Sequence, residues 1–275
     1  MSAATANNPV VNVEIDSRSV AQSFSKAAAS YDAIASVQRD IAQHLTDQLA
    51  LPQKGRFLDL GCGTGYLMHR LALPSHTWCG ADIAAGMLEQ VKLRQWTHAP
   101  ELVVANAEAL PFEAESFDTV VSSMALQWVN HPVRALAEIK RIIKPAGKAH
   151  LAILRRDSLA ELHQGWESLQ QGYRVNRFAG REEWILAAQQ AGLNLQAVSQ
   201  SSFVTLHSAL RPLLHSIKDI GAGATNACAN GMDSRPHPRI TKQDLRSLEY
   251  WWRSHHAQHE QLRLTYKVDF FHFSR

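Results

Sequence analysis

The sequence has no long apolar run and little net charge, and each shortage excludes a class of protein. No stretch of about 18 apolar residues occurs in the 275 residues, so no transmembrane helix is predicted. The N-terminus lacks the basic flank and apolar stretch of a secretory signal, so export is not expected. The net charge of +3 is far from the dense basic stripe of a nucleic-acid binder. The sequence therefore predicts a protein that binds neither a membrane nor a nucleic acid.

Cysteine is also scarce. Cys62, Cys79 and Cys228 are widely spaced and form no CxxC pair, which is untypical of a disulfide framework or a zinc site. We therefore expect three free thiols, no metal site and a reducing cytoplasm. Cys62 lies inside a glycine-rich turn that needs a small side chain, which favours packing over nucleophilic catalysis.

The turn around Cys62 is the most informative part of the chain, which reads RFLDLGCGTGYL from Arg56 to Leu67. A short apolar run ends in Asp59, and Gly61, Gly63 and Gly65 follow at alternate positions. This pattern predicts a buried strand, then a tight turn whose backbone a ligand can approach closely, then a helix.

Three ligands compete for such a turn. A phosphate-binding P-loop needs a GK pair followed by Ser or Thr, and no Lys lies between Gly61 and His69. A dinucleotide site prefers a third glycine where this chain has Tyr66. S-adenosylmethionine remains as the third candidate. It carries a cationic amino group and a sulfonium, which suit an acidic strand end, and a carboxylate, which suits free backbone N–H groups.

A second acidic strand end supports this interpretation. Asp82 ends the next apolar run, TWCGAD, about where a nucleotide-binding sheet presents a carboxylate to two ribose hydroxyls. The alternative is an N-cap for the helix that carries Met87. Further on, Asn106 and Glu108 follow an apolar segment, and another buried strand ends near Ser122. An Asn amide can pair with adenine, or it can satisfy its own loop backbone.

These motifs, in their order and spacing, resemble the class I S-adenosylmethionine-dependent methyltransferases over about residues 56–154. The motifs are LDLGCGTG, GADIAAGML, NAEALPF, FDTVVSSMALQW and LAEIKRIIKPAGKAHLAI. The flanks are similar to one family among them, the malonyl-acyl carrier protein O-methyltransferases of biotin synthesis. The flanking motifs are FSKAAASYDAIASVQRDIA, SLAELHQGW, NRF, SIKDIGA and PRITKQDL.

The resemblance implies an α/β fold with a doubly wound, mostly parallel seven-stranded sheet, N-terminal helices and a helical cap. It implies S-adenosylmethionine as cofactor, held by residues of the turn and of the next strand ends. We list them as Asp59, Gly61, Gly63, Gly65, Asp82, Ile83, Met87, Asn106, Ala107, Glu108, Ser122 and Gln38. One departure is Asn106, where the wider family often carries Asp.

The implied reaction is methyl transfer to the free carboxylate of a malonyl thioester, giving the malonyl methyl ester and S-adenosylhomocysteine. Arg177, in the NRF element, is nominated to hold that carboxylate, with a structural ion pair as the alternative. Tyr31 and Gln38 are expected to bond the donor's methionine carboxylate or the substrate, or else to anchor a helix. Trp128 is expected in the pocket wall or in the core, and His163 beside the acyl chain.

The partner implied is an acyl carrier protein or coenzyme A. Carrier proteins are acidic, so a basic cluster is expected to steer docking. The first candidate contains Arg134, Lys140, Arg141 and Lys144. The second, which we prefer, contains Arg235, Arg239, Lys242 and Arg246. Rival functions are a methyltransferase for a small quinone precursor or transfer RNA, and a non-catalytic binding protein on the same fold.

The periodicity predicts how the chain is organised. A disordered lead of 16 residues comes first, followed by N-terminal helices over 17–55 and a methyltransferase domain over 56–275. The two leading helices are predicted at Arg18 to Ser30 and Tyr31 to Leu49. A helical tract at about 206–260 has no place in a minimal sheet, so we expect it to form the cap over the strand ends.

Overall fold

The computed structural model describes residues 15–170, 178–218 and 240–275, and its centre is a single sheet. The strands are β1 (Gly55–Leu60), β2 (His76–Asp82), β3 (Glu101–Val104), β4 (Phe117–Ser123), β5 (Ile143–Leu154), β6 (Asn194–His207), β7 (Ala257–Gln258) and β8 (Gln261–Ser274). The helices are α1 (Ser17–Ile34), α2 (Ser36–Asp47), α3 (Tyr66–Leu71), α4 (Ala85–Leu93), α5 (Pro132–Ile142), α6 (Ala160–Ser168), α7 (Arg181–Ala191), α8 (Leu210–Ile217) and α9 (Lys242–His256).

The strand order is β3-β2-β1-β4-β5-β8-β6, with β7 paired to β8 outside this path. The pairs from β3 to β5 are parallel, and β8 runs antiparallel to both β5 and β6. The predicted doubly wound, mostly parallel sheet is confirmed, with the two-residue β7 as an addition to the seven strands. Strand order reverses between β1 and β4, so a crevice is expected at the carboxyl ends of these strands.

Apolar residues cover both faces of the sheet because successive side chains of a strand point to opposite sides. Phe57 of β1 belongs to one buried cluster together with Ile41 of α2, whereas Leu58 belongs to the other with Ile139 of α5. These clusters fix the strands rigidly between two helical layers. The loops at the carboxyl edge are therefore attached to a rigid sheet.

The break between the first two helices differs from the prediction. The predicted first helix ends at Ser30, but α1 continues to Ile34 and the chain turns at Ala35, whose N–H donates to the carbonyl of Tyr31 at 2.8 Å. This stretch contains no glycine or proline to mark the turn. Ala35 is only 1% exposed, so packing decides its position. As a result Tyr31 lies on α1 rather than on α2.

The last two helices lie at the same edge of the sheet as the carboxyl ends of the parallel strands. β8 pairs with β5 only as far as Leu154, whereas its residues 262–267 continue along β6 beyond that point. α8 follows the extended end of β6 and buries its Leu213. α9 precedes the extended end of β8 and buries its Trp252. The predicted cap tract contains these helices, but residues 219–239 of it and 1–14 of the predicted lead lie outside the described residues. The predicted domain division remains a prediction.

Candidate functional site

Backbone hydrogen bonds hold the glycine-rich turn after β1 against β2. The N–H groups of Gly61 and Cys62 both donate to the carbonyl of Ala81, at 2.7 and 3.1 Å. Gly61, Gly63 and Gly65 have φ values of +70°, +52° and +80°, a region that residues with a side chain rarely adopt. The backbone of the turn therefore requires the alternating glycines.

The first two glycines have different surroundings. A Cβ on Gly61 would lie 2.1 Å from the Cβ of Ala125, in the segment after β4. A Cβ on Gly63 would meet no atom of the described residues within 4 Å. Gly61 therefore lets the turn pack on its neighbour, whereas Gly63 leaves open space beside the backbone.

Asp82 binds this turn from the end of β2. Its Oδ2 accepts the N–H of Gly63 at 2.8 Å, and its Oδ1 accepts the N–H of Ala84 at 2.8 Å. Burial raises the pKa of the Asp82 carboxyl, while hydrogen bonds from the backbone of Ala84, Gly63 and Ile83 oppose the rise. Ala84, not Asp82, is the N-cap residue of α4, so the N-cap alternative was wrong.

A cavity opens beside Asp82, between the glycine-rich turn, α1 and the segments that follow β2, β3 and β4. It lies at the crevice that the strand order predicts. Its lining consists of Ser17, Val20, Phe24, Tyr31, Leu60, Gly61, Gly63, Asp82, Ile83, Met87, Ala105, Asn106, Ala107, Glu108, Ser123, Met124, Ala125, Leu126, Trp128 and Val129.

Helix α1 covers one side of the cavity. Its Phe24 and Tyr31 pack on a small apolar cluster that includes Met87 of α4. Burial and the nearby charge of Asp82 raise the pKa of the Tyr31 hydroxyl, so Tyr31 stays neutral and can donate a hydrogen bond. Helix α1 therefore contributes apolar surface and one phenol hydroxyl to the wall of the cavity.

Gly86 sets how closely α1 approaches α4. Its N–H donates to Oγ of Ser25 at 3.2 Å. A Cβ at this position would lie 2.7 Å from the carbonyl oxygen of Ser25 and 2.8 Å from its Cα. These are backbone atoms, so a side chain on residue 86 must push α1 away.

The C-terminal end of α1 is tied to the glycine-rich turn by a second set of contacts. The hydroxyl of Thr64 donates to Oδ1 of Asp32 at 2.6 Å, and Nε of Arg94 donates to the carbonyl of Thr64 at 2.6 Å. The guanidinium of Arg94 also pairs with the carboxylate of Asp32. This arrangement holds Tyr31, the neighbour of Asp32, close to the turn.

The loop after β3 forms the opposite wall. Oδ1 of Asn106 accepts the N–H of Glu108 at 2.9 Å, so the loop-capping alternative holds, and Asn106 nevertheless lines the cavity. Oε1 of Glu108 accepts the N–H of Asn130 at 2.7 Å, and the Asn130 amide bonds the backbone of Ile15 at 2.5 and 3.0 Å. The start of α1 is therefore anchored to the loop that follows β4.

Aromatic side chains form the wall beyond that loop. The rings of Phe24 and Trp128 meet edge to face at 5.7 Å, and those of Trp128 and Phe178 do so at 6.4 Å. Trp128 is half-buried and lines the cavity, so it lies in the wall rather than in the core. The predicted residue Arg177 precedes Phe178 and lies outside the described residues.

Asp59 was expected to contact the cofactor, but it does not line the cavity. It is 1% exposed, and its Oδ2 accepts the N–H of Met68 at 3.3 Å. Burial raises its pKa to about 7, opposed by that bond and reinforced by the charge of Asp82. Asp59 therefore supports α3 from behind the turn.

Four further predicted residues lie outside the lining. Gly65 is the N-cap of α3, and the hydroxyl of Ser122 donates to the carbonyl of Leu60 at 2.7 Å. Gln38 is buried in α2, and His163 lies on α6. Cys62 is buried and burial raises the pKa of its thiol, which agrees with a packing role.

Sequence reasoning missed several lining residues, chiefly on α1 and after β4. Ser17 and Val20 were not considered, although the amphipathic helix that precedes β1 offered a signal. Ser123 lies next to the predicted Ser122, and Ala125 lies two residues further on. A prediction of the strand end that is wrong by one residue therefore selects the wrong serine.

Replacing Gly86 by alanine is expected to weaken cofactor binding by lifting α1 off α4. Alanine is favoured over glycine within a helix by about 1 kcal/mol, so α4 itself should not suffer. The measurement is the calorimetric dissociation constant of S-adenosylhomocysteine, with tenfold weakening or more expected. Gly180→Ala is the control, since its Cβ would lie no closer than 3.6 Å to any atom that the structure describes. Equal affinity in both variants would contradict the role of Gly86.

Within the ranges that the structure covers, no group of three or more His, Cys, Asp or Glu side chains has a metal-binding arrangement. Over the same ranges, none of the helices combines the length and the apolar character needed to cross a bilayer.

Comparison with known proteins identifies the family. Residues 58–151 match the model of the methyltransferase domain. The chain is 34% identical over 239 residues to malonyl-[acyl-carrier protein] O-methyltransferase of Hahella chejuensis, covering 85% of this chain and 82% of that protein. It is 38% identical over 223 residues to biotin biosynthesis bifunctional protein BioHC of Cellvibrio japonicus, covering 80% of this chain but only 44% of that longer protein.

A crystal structure of a putative methyltransferase from Bacillus halodurans has the same fold. Its TM-score is 0.61 at 15% identity, covering 86% of this chain and 98% of that one. The cofactor of this class of enzyme is S-adenosylmethionine, and the lining fits it. Open space beside Gly63 leaves room for it, Asp82 can accept hydroxyl groups, and two carboxylates favour a cation. The chain therefore belongs to the malonyl-[acyl-carrier protein] O-methyltransferase family.

Proposed function

We propose that this protein transfers a methyl group from S-adenosylmethionine to the free carboxylate of a malonyl thioester on acyl carrier protein, an early step of biotin synthesis. The observation that carries the proposal is the similarity to the Hahella protein over 239 residues, well beyond the matched domain. The covered cavity beside Asp82 supplies a matching site. A reducing cytoplasm is proposed as well, since Cys62 and Cys79 are both free and buried.

The cavity suits a cationic donor. Its lining contains the carboxylates of Asp82 and Glu108 and, among the described residues, no Lys, Arg or His. S-adenosylmethionine, when bound, supplies an electrophilic methyl group on a positively charged sulfur. The residues of this chain bind and orient it: Asp82 and Asn106 offer hydrogen-bond acceptors, and Met87 and Trp128 offer apolar surface.

No general base is needed for this reaction. Carboxyl groups have reference pKa values of about 4, so the malonyl carboxylate is already ionised at neutral pH. The protein has to hold the carboxylate in line and exclude water, which α1 and the aromatic wall can do by covering the cavity. Holding two reactants in the right geometry lowers the barrier substantially.

The malonyl carboxylate needs a cationic partner, which the described lining lacks. We therefore retain Arg177 as the proposed partner. The support is indirect, since Phe178, the next residue in the sequence, packs on Trp128 in the cavity wall. An arginine is suited to this task because its planar fork binds a carboxylate through two hydrogen bonds.

Carrier docking is proposed on the exposed basic residues of α8 and α9. Arg211 lies on α8 and Lys218 is its C-cap residue, whereas Lys242 and Arg246 lie on α9; all four are exposed. In the other candidate cluster, Arg141 pairs with Glu138 at 2.7 Å and Lys144 pairs with Asp118 at 2.9 Å, so much of its charge is neutralised. Arg235 and Arg239 of the preferred cluster lie outside the described residues.

The test is methyl transfer from labelled S-adenosylmethionine to malonyl carrier protein, malonyl coenzyme A, a quinone precursor and transfer RNA. Label on the malonyl thioesters alone is expected, and label on either of the other two substrates would overturn the proposal. Arg177→Ala should lower malonyl turnover while leaving S-adenosylhomocysteine affinity unchanged.

The same assay tests docking. Lys242→Glu with Arg246→Glu should raise KM for the carrier substrate about tenfold and leave malonyl coenzyme A turnover unchanged, with the difference shrinking at high salt. The control is Lys54→Glu with Lys148→Glu, at exposed positions directly before β1 and in the first half of β5. Equal KM values for the two double variants would contradict the docking site.

A further inference from the structure

Two adjacent serines at the end of β4 have different surroundings. The hydroxyl of Ser122 donates to the carbonyl of Leu60 at 2.7 Å, and Ser122 is 1% exposed. This bond ties β4 to the end of β1, directly before the glycine-rich turn. Ser122 is therefore a structural residue whose donor is already used.

Ser123 lines the cavity, yet its hydroxyl has no hydrogen-bond partner within the described parts of the chain. The hydroxyl oxygen is also shielded from solvent. Buried polar groups are almost always paired, because an unmade hydrogen bond costs the folded state the full desolvation of the group. An orphan hydroxyl at the wall of a binding cavity is therefore a group that a ligand can complete.

The backbone next to Ser123 is held in a strained conformation. Met124 has a φ of +58°, in the left-handed region, and its N–H donates to the carbonyl of Ala152 at 2.9 Å. Ala125 then packs against the position of the missing Cβ of Gly61. Backbone strain of this kind persists only where the surroundings impose it, and it concentrates at ligand sites.

We propose that the hydroxyl of Ser123 donates a hydrogen bond to a carboxylate of the bound molecules; this rests on the proposed function. One rotation about χ1, between staggered positions, changes the direction of a serine hydroxyl without moving the backbone. None of the described lining residues is cationic, so a carboxylate in this cavity depends on neutral hydrogen-bond donors such as a serine hydroxyl. Two carboxylates enter the site, that of the malonyl group and that of the amino-acid end of the donor.

Stability measurements give the first test, on the full chain without ligand. Ser123→Ala is expected to leave the midpoint of urea unfolding unchanged or higher, because it removes an unsatisfied buried group. Ser122→Ala, the matched control, is expected to lower it, because the Leu60 carbonyl loses its donor. If Ser123→Ala lowers the midpoint as much as Ser122→Ala, the hydroxyl is structural and the proposal is overturned.

Binding measurements identify which carboxylate is bound. If it belongs to the donor, Ser123→Ala weakens calorimetric binding of S-adenosylhomocysteine about tenfold and leaves methylthioadenosine, which lacks the amino-acid end, unchanged. If it belongs to malonyl, both affinities are unchanged and KM for the malonyl substrate rises about tenfold. Equal losses for the two nucleosides, or no change in any of the three quantities, would overturn the proposal. The two nucleoside measurements remain informative even if malonyl is not the acceptor.

Discussion

Replacing Gly61 by alanine is expected to destabilise the protein by about 2–5 kcal/mol and to abolish cofactor binding. A residue with a side chain in the left-handed region costs roughly 1–2 kcal/mol, and overpacking adds about 1–3 kcal/mol. Both terms apply here, because Gly61 has a φ of +70° and its new Cβ would lie 2.1 Å from the Cβ of Ala125. Ala125 lines the cavity, so its displacement distorts the site. Denaturant unfolding measures the first effect and calorimetry with S-adenosylhomocysteine measures the second.

Gly63→Ala is the matched control within the same turn. Gly63 has a φ of +52°, but its Cβ would meet no atom within 4 Å in the part of the chain that the structure describes, so only the roughly 1–2 kcal/mol backbone cost applies. If the two variants unfold at the same denaturant concentration, the contact between the turn and Ala125 does not stabilise the fold. A large loss of cofactor affinity in Gly63→Ala with little loss of stability would indicate that the ligand lies against this glycine.

The second large effect is expected from Asp82→Ala, which should raise the dissociation constant of S-adenosylhomocysteine at least tenfold. Asp82 is the proposed acceptor of the two ribose hydroxyls, and its carboxylate already accepts the N–H groups of Gly63 and Ala84 at 2.8 Å each. Removing it leaves both backbone donors unpaired, at about 1–3 kcal/mol for each donor that stays buried. Calorimetry and urea unfolding separate the loss of binding from the loss of stability.

Asp82→Asn separates the charge from the hydrogen bonds. The amide keeps one acceptor oxygen and nearly the same shape, so stability should fall less than in Asp82→Ala. Binding should still weaken, because the amide lacks the second acceptor and the negative charge. Unchanged affinity for S-adenosylhomocysteine in Asp82→Ala would remove Asp82 from the binding site.

Features that depend on local chain geometry were predicted well. The end of β1, the glycine-rich turn and the position of Asp82 follow from apolar runs and from the few residues that tolerate a positive φ. The resemblance of the motifs then implied the doubly wound sheet, whose parallel strands need helical crossovers. These predictions need no knowledge of distant contacts.

Features that depend on distant contacts were predicted less well. The turn at Ala35 is buried and contains no glycine or proline, so it was predicted too early and Tyr31 was assigned to the second helix instead of the first. Asp59 and Ser122 were assigned to the site, yet both bond to their own scaffold, and the neighbouring Ser123 lines the cavity instead. A slip of one residue at a strand end changes which side chain meets the ligand.

The amino-acid sequence by itself determined the family and the sheet through the resemblance of its motifs, and the glycine-rich bend through backbone preferences along the chain. Only the tertiary structure decided that α1 covers the cavity, that Gly86 sets the distance between α1 and α4, and that none of the described residues pairs with the Ser123 hydroxyl. The physical reason is that burial and hydrogen-bond pairing depend on segments far apart in the chain, such as Ser25 beside Gly86 and Leu60 beside Ser122.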